Sequence, residues 1–133
     1  LKSYVWPEAS QRMKRIDTAI AMASRFPPDI ARQDAASFVA DALAAPQERG
    51  VTRTLMHSIV WQYLPDAAQD AIGAAMEEAG SRASEARPLA WLALETNRET
   101  FAHELRVRYW PGGEESVLLA TAHPHGEWVE WIG

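Results

Sequence analysis

Cysteine is absent from the 133 residues of this chain. Disulfide bonds, thiolate metal sites and a cysteine nucleophile are therefore excluded, and we expect the protein to reside in the reducing cytoplasm. Long apolar runs are also missing, because no stretch approaches the roughly 20 residues that cross a bilayer. The sequence has no signal-peptide pattern either, so we expect no membrane partner.

Positive charge is scarce in this sequence. Lysine and arginine total 13 against 18 aspartate and glutamate residues, and the formal net charge is −5. A domain that neutralises phosphates is normally basic, so we expect no nucleic-acid partner. The chain also lacks a run of like charges that would form an acidic or basic tail.

Glycine occurs seven times, but the sequence contains no Gly-rich loop that leads from a predicted strand into a predicted helix. The adjacent pair Gly112-Gly113 falls in a hairpin, so it cannot cradle a phosphate or a dinucleotide. The sequence contains neither a Gly-x-Ser-x-Gly motif nor a phosphate-binding loop with lysine. Hydrolase and phosphotransferase functions therefore have no support.

The composition is otherwise that of a globular domain, with 47% hydrophobic and 23% charged residues. The length suits a single domain over residues 1–133, with a helical segment at 1–50 and a mixed segment at 51–133.

The helical segment contains two predicted helices. Apolar residues at helical spacing follow a predicted helix start at Trp6-Pro7-Glu8 and continue to Phe26. Asp34 predicts the N-cap of the second helix. Between the two helices, Asp29–Arg32 is predicted as a brief strand.

The mixed segment opens with a strand–helix–strand pattern. Thr54–Leu64 is rich in β-favouring residues, and Pro88–Leu94 is a second apolar run. Between them, Asp66–Ala79 carries one apolar stripe at helical spacing, and Gly80 predicts its end. Two apolar strands joined by an amphipathic helix form a parallel crossover, which predicts an α/β fold.

The hydrophobic period then changes to two residues. Alternating residues at 105–110, a turn at Pro111-Gly112-Gly113 and a returning run at Val117–Ala122 predict an antiparallel hairpin. Trp128–Ile132 predicts a short terminal strand. The expected sheet is therefore mixed, with antiparallel strands at its end.

Several stretches resemble a bacterial family called domain of unknown function 2332, and the resemblance covers nearly the whole chain. The most specific are Trp-Gln-Tyr-Leu-Pro at 61–65 and Trp-Pro-Gly-Gly at 110–113. The others are Ser3–Pro7 with Arg12, His57–Val60, Pro88–Leu92 with Glu95, and His125–Trp131.

That family is similar to the class I methyltransferase fold, which implies a Rossmann-like three-layer sandwich with this chain as its C-terminal half. The resemblance also implies a methyl donor, S-adenosylmethionine, bound after a Gly-rich loop that this chain lacks. Because the chain begins at Leu1, we expect a fragment of a longer protein that holds the donor site; the alternative is a trimmed chain that lost only a tag. Asp34-Ala35 match the acidic position beside the adenine, and an ordinary helix N-cap is the competing interpretation.

Polar side chains gather where the two long predicted strands end. Gln62 and Tyr63 close the first strand and Glu95 closes the second, so these three are candidate catalytic residues at one crevice, with Asn97 nearby. A carboxylate there can take a proton from a nucleophile or bind a cationic substrate. His57 lies earlier in its strand, where a buried, hydrogen-bonded histidine is the favoured interpretation.

Other residue types that often carry chemistry give weaker signals. His123 and His125 can face the same way on a strand, but Pro124 interrupts that strand. A third ligand would have to come from elsewhere on the hairpin, where His103 and Glu127 lie, so we predict no metal site. Trp61 and Trp91 are expected to fill the core from inside the two strands.

Two functions follow from the sequence, and whether the protein is an enzyme stays open. One is a methyltransferase-like domain without its donor-binding strands. The other is a non-catalytic domain of the same fold that serves assembly or binds a small ligand. The free edge of Thr54–Leu64 is long and apolar, so we expect a homodimer or an N-terminal segment that covers this edge.

Overall fold

The computed structural model describes residues 2, 5, 6 and 8–132. The chain divides into two compact units, Leu1–Arg32 and Gln33–Gly133. The first unit contains helix α1 (Ser10–Arg25), which confirms the first predicted helix. Its predicted start falls partly on Pro7, which lies outside the described residues.

The brief strand predicted at Asp29–Arg32 is wrong. This run pairs with none of the five strands of the sheet. Its one large apolar side chain, Ile30, is 81% exposed, so the run has no apolar face to bury.

The second unit contains a five-stranded sheet in the order β1-β2-β3-β4-β5. Strands β1 and β2 are parallel, and each later neighbouring pair is antiparallel. The α/β class, the parallel crossover, the hairpin and the terminal strand are therefore confirmed. The elements are α2 (Ala35–Ala44), β1 (Arg53–Ser58), a 3₁₀ turn (Trp61–Tyr63), α3 (Asp66–Ser81), β2 (Leu89–Thr96), β3 (His103–Trp110), β4 (Gly113–Ala122) and β5 (Val129–Trp131).

Helices α2 and α3 pack on one face of the sheet. The core between them is formed by Val39 from α2, Met76 from α3, and Leu89 and Trp110 from β2 and β3. Met76 is fully buried. Both helices of this unit cover the same face of the sheet, which makes two layers. The three-layer, Rossmann-like arrangement therefore stays a prediction.

The first predicted strand is too long, because β1 ends at Ser58 and not at Leu64. Ile59 adopts a left-handed backbone conformation with φ of 49°, which turns the chain out of the strand direction. The backbone N–H groups of Val60 and Trp61 then donate to the Glu95 side chain instead of to a neighbouring strand. Trp61 therefore lies in a 3₁₀ turn outside the strand, contrary to the prediction.

Gly80 does not end α3, because the helix continues to Ser81. Gly80 is buried inside the last turn, where a Cβ atom would overlap the indole ring of Trp110. The glycine is therefore needed for close packing of the helix on β3 rather than for a C-terminal stop.

Candidate functional site

Within the described part of the second unit, helices α2 and α3 cover one end of the helix-facing side of the sheet. Leu89 and Trp110 lie opposite each other on β2 and β3 and belong to the core beneath α2 and α3. Leu55 of β1 packs against this core. Toward the carboxyl ends of β1 and β2, the same face carries His57, Glu95 and, from β3, arginines. A cleft of about 280 Å³ opens there, here called the tryptophan cleft. It is lined by His57, Trp61, Trp91, Ala93, Glu95, Arg106, Val107, Arg108 and Ser116.

A hydrogen-bonded chain of three side chains forms one wall of the tryptophan cleft. The Nε1–H group of Trp91 donates to Nε2 of His57 over 2.9 Å, and Nδ1 of His57 lies 2.8 Å from Oε1 of Glu95. Because an indole nitrogen only donates, Nε2 of His57 must be unprotonated, and Nδ1 carries the proton that bonds Glu95. Both ring nitrogens are therefore occupied, and His57 has the predicted role of a hydrogen-bonded structural histidine.

Glu95 anchors this wall through a single oxygen atom. Its Oε1 accepts from His57 and from the backbone N–H groups of Val60 and Trp61, at 3.1 and 3.2 Å. These donors come from β1 and from the turn that follows it. The Glu95 carboxylate therefore holds the end of the first strand and the start of the turn in one place.

Three aromatic rings form the apolar part of the wall. The His57 and Trp61 rings are stacked, with centroids 4.9 Å apart, and Trp61 meets Trp91 at 5.5 Å. The hydrogen bond from Trp91 to His57 fixes the orientation of that indole. The rings thus present a preorganised apolar surface to the cleft.

The opposite side of the tryptophan cleft is basic. Nε of Arg106 donates to Oε2 of Glu104 over 2.6 Å, and Asn97 donates to the other oxygen of Glu104 over 2.8 Å. Burial raises the pKa of Glu104, but these hydrogen bonds and the charge of Arg106 outweigh burial, so its pKa lies below the usual value. Glu104 is thus held as a carboxylate that fixes Arg106.

Arg108 is also part of the basic side, but its guanidinium is engaged. It pairs with Glu77 of α3 at 2.5 Å. It also lies over the Trp110 ring at 4.6 Å and over the Trp91 ring at 5.9 Å. These contacts make Arg108 a support for the aromatic wall.

The structure brings only some of the predicted catalytic residues together. Glu95 lines the tryptophan cleft and also lines a smaller space of about 180 Å³ with Gln62. Tyr63 is 74% exposed and lines neither space. Asn97 contacts the site indirectly, through Glu104.

Asp34 and Ala35, the predicted cofactor contacts, do not line the tryptophan cleft. The Asp34 side chain accepts a hydrogen bond of 2.9 Å from the N–H group of Ser37, so Asp34 is the N-cap of α2. This bond lowers the pKa of Asp34. Ala35 packs against the core. The competing interpretation, an ordinary helix N-cap, fits these contacts.

The histidine pair near the C-terminus forms a local turn contact. The backbone N–H of His125 donates to Nδ1 of His123 over 3.1 Å. Within residues 2, 5, 6 and 8–132, no group of three or more histidine, aspartate or glutamate side chains is arranged to hold a metal ion.

Sequence reasoning missed the basic side of the cleft. The alternation at 105–110 predicts only that Arg106 and Arg108 lie on the same face of their strand. Their positions opposite Ala93 and Trp91 in the register place them on the same face as Glu95. The available signal was that β2 and β3 are adjacent, so alternate residues of β3 lie on the same face as the alternate residues of β2 that they oppose.

A family model described as an uncharacterised protein conserved in bacteria, domain of unknown function 2332, matches residues 1–131. The chain belongs to this family. No curated protein and no solved structure matches it. The family match confirms the resemblance noted from the sequence motifs, whereas the methyltransferase-like fold and S-adenosylmethionine stay predictions.

The helices in the part of the chain that the structure describes give no candidate for a membrane span. None of the helices there combines the length and the apolar character that crossing a bilayer requires.

Proposed function

We propose that this member of the family binds a small molecule whose flat apolar part lies against Trp61 and Trp91 in the tryptophan cleft. The observation that carries the proposal is the preorganised aromatic wall, in which His57 bonds the Trp91 ring and stacks on the Trp61 ring, while Glu95 holds the Trp61 backbone. This is the small-ligand form of the non-catalytic alternative expected from the sequence.

The position of the cleft supports binding. It lies at the carboxyl ends of the parallel strands β1 and β2, where open α/β sheets receive their ligands. Its volume of about 280 Å³ suits a small molecule and not a polymer. Apolar walls with a few fixed polar groups are the usual composition of such sites.

The hydrogen bonds of the site favour binding over proton transfer. His57 has both ring nitrogens occupied, and Oε1 of Glu95 accepts three hydrogen bonds. A group held in this way orients its neighbours and gives a ligand a rigid surface. Rigid surfaces lower the entropic cost of association.

The methyltransferase-like function stays the second proposal, and it depends on the resemblance rather than on the contacts of the cleft. In that case S-adenosylmethionine binds the longer protein, and the tryptophan cleft faces the methyl acceptor. Calorimetric titration of this chain with S-adenosylmethionine should give no heat of binding. Tight binding would contradict the assignment of the donor site to another part of the protein.

Binding of a neutral flat probe tests the first proposal. We expect 2-naphthamide to bind the wild-type chain saturably in ligand-observed NMR, and Trp61→Leu to weaken this binding. Trp131→Leu is the matched control, because Trp131 lies in β5, outside the cleft, and is 67% exposed. Equal binding by all three proteins, or equal loss in both variants, would refute the role of the aromatic wall.

A further inference from the structure

We infer that the ligand of the tryptophan cleft carries a carboxylate that pairs with the guanidinium of Arg106. This inference rests on the proposed binding function and adds the chemical class of the ligand. The class is a planar, mostly apolar acid with one negative charge near its edge.

Arg106 has the free donors that such an acid needs. Its Nε is taken by Glu104, but its two terminal nitrogens have no hydrogen-bond partner among the described residues. The side chain is 38% exposed and lines the tryptophan cleft. The unused edge of a guanidinium matches the two oxygens of a carboxylate.

The unused donors of Arg106 favour an anion over a cation. Each guanidinium of the cleft already has a carboxylate partner, Glu104 for Arg106 and Glu77 for Arg108, so the formal charges alone do not select the ligand. Oε1 of Glu95 already accepts three hydrogen bonds. A cationic ligand beside Arg106 would meet a like charge with unused N–H donors, which is unfavourable.

The contacts of Arg108 favour a singly charged acid over a doubly charged phosphate. The second guanidinium, Arg108, is paired with Glu77 and lies over two indole rings. Arg106 is therefore the guanidinium that pairs with the negative charge of the ligand. Arg106 also lines an adjoining space of about 320 Å³ with Glu95, Thr96, Asn97 and Glu104, which gives room for a polar, uncharged substituent beside the acid.

The test compares 2-naphthoate with 2-naphthamide, which share a ring system and differ in charge. We expect the wild-type chain to bind the acid about tenfold more tightly than the amide, as a charge-assisted pair provides. Arg106→Gln should remove this preference, and Arg106→Lys should retain part of it. Arg49→Gln makes the same charge change at an exposed residue outside the cleft and should behave as wild type.

The outcomes separate this inference from the proposed function. If neither probe binds the wild-type chain, the proposed function fails. If both bind equally, or if Arg106→Gln keeps the preference, the acid assignment fails while the aromatic site stands. Tighter, Arg106-dependent binding of 2-naphthyl phosphate would replace the carboxylate class by a phosphate.

A measurement on the wild-type chain alone covers the case in which the Arg106 variants do not fold. Raising the sodium chloride concentration should weaken binding of 2-naphthoate and leave 2-naphthamide unaffected, because salt screens a partly exposed ion pair. Equal salt responses of the two probes would overturn the inference.

Discussion

Removal of the Glu95 carboxylate should destabilise the chain far more than removal of an exposed carboxylate. Glu95 is 19% exposed, and one of its oxygens accepts hydrogen bonds from His57, Val60 and Trp61. In Glu95→Ala these three donors lose their acceptor. The N–H group of Val60 lies at an exposed residue, where water replaces the bond.

The magnitude follows from the other two donors. Nδ1 of His57 is on a side chain that is only 11% exposed, and the N–H group of Trp61 is partly buried. A hydrogen bond to a charged group contributes about 1.5 kcal/mol or more, so we expect Glu95→Ala to lower the free energy of unfolding by about 3 kcal/mol. Glu95→Gln keeps an oxygen acceptor without the charge and should lose about half as much.

Urea unfolding followed by tryptophan fluorescence and far-ultraviolet circular dichroism measures this loss. Glu99→Ala is the matched control, because Glu99 is an exposed residue of the loop after β2. The NMR signal of the Trp91 indole N–H provides a second readout, since it reports the bond to His57. A Glu95→Ala stability equal to that of Glu99→Ala, with an unshifted Trp91 signal, would refute the anchoring role of Glu95.

Three further predictions concern the framework around the cleft. Gly80→Ala should lower the urea midpoint despite the better helix propensity of alanine, since the new methyl group meets Trp110; an unchanged or higher midpoint contradicts this packing. The lowered pKa of Glu104 stabilises the fold above the usual glutamate pKa, and this stabilisation is lost as the pH falls through the lowered value. The stability difference between wild type and Glu104→Gln should therefore shrink on acidification, and a growing difference contradicts it. Because β1 is an edge strand, light scattering should show a homodimer that Met56→Lys weakens; a wild-type monomer rejects this.

Elements set by local patterns could be predicted from the sequence. The apolar stripe at Asp66–Ala79 and the change to a period of two near β3 are properties of neighbouring residues, and both elements formed as expected. The end of β1 could not be predicted in this way. Ile59 and Val60 favour a strand locally, but the chain turns there to reach Glu95, which lies 34 residues beyond Trp61.

The candidate site was predictable to the same limited degree. Glu95 was found because the ends of parallel strands meet at one edge of the sheet. Tyr63 was expected beside it on the assumption that the strand continued, and the 3₁₀ turn carries its side chain into solvent instead. The contribution of Arg106 depends on the pairing of β3 with β2, which hydrophobic periodicity alone does not specify.

Because the cleft side chains of β1, β2 and β3 project from paired strands, the position of an insertion or deletion decides whether it changes the cleft. A residue gained or lost in the connection at 97–102 should not alter which side chains line the tryptophan cleft. One residue inserted within β3 would reverse the facing of the rest of that strand, exchanging Arg106 and Arg108 for Leu105 and Val107. Length variation among family members should therefore concentrate in the connection, and an insertion inside β3 should replace the basic side of the cleft by apolar side chains.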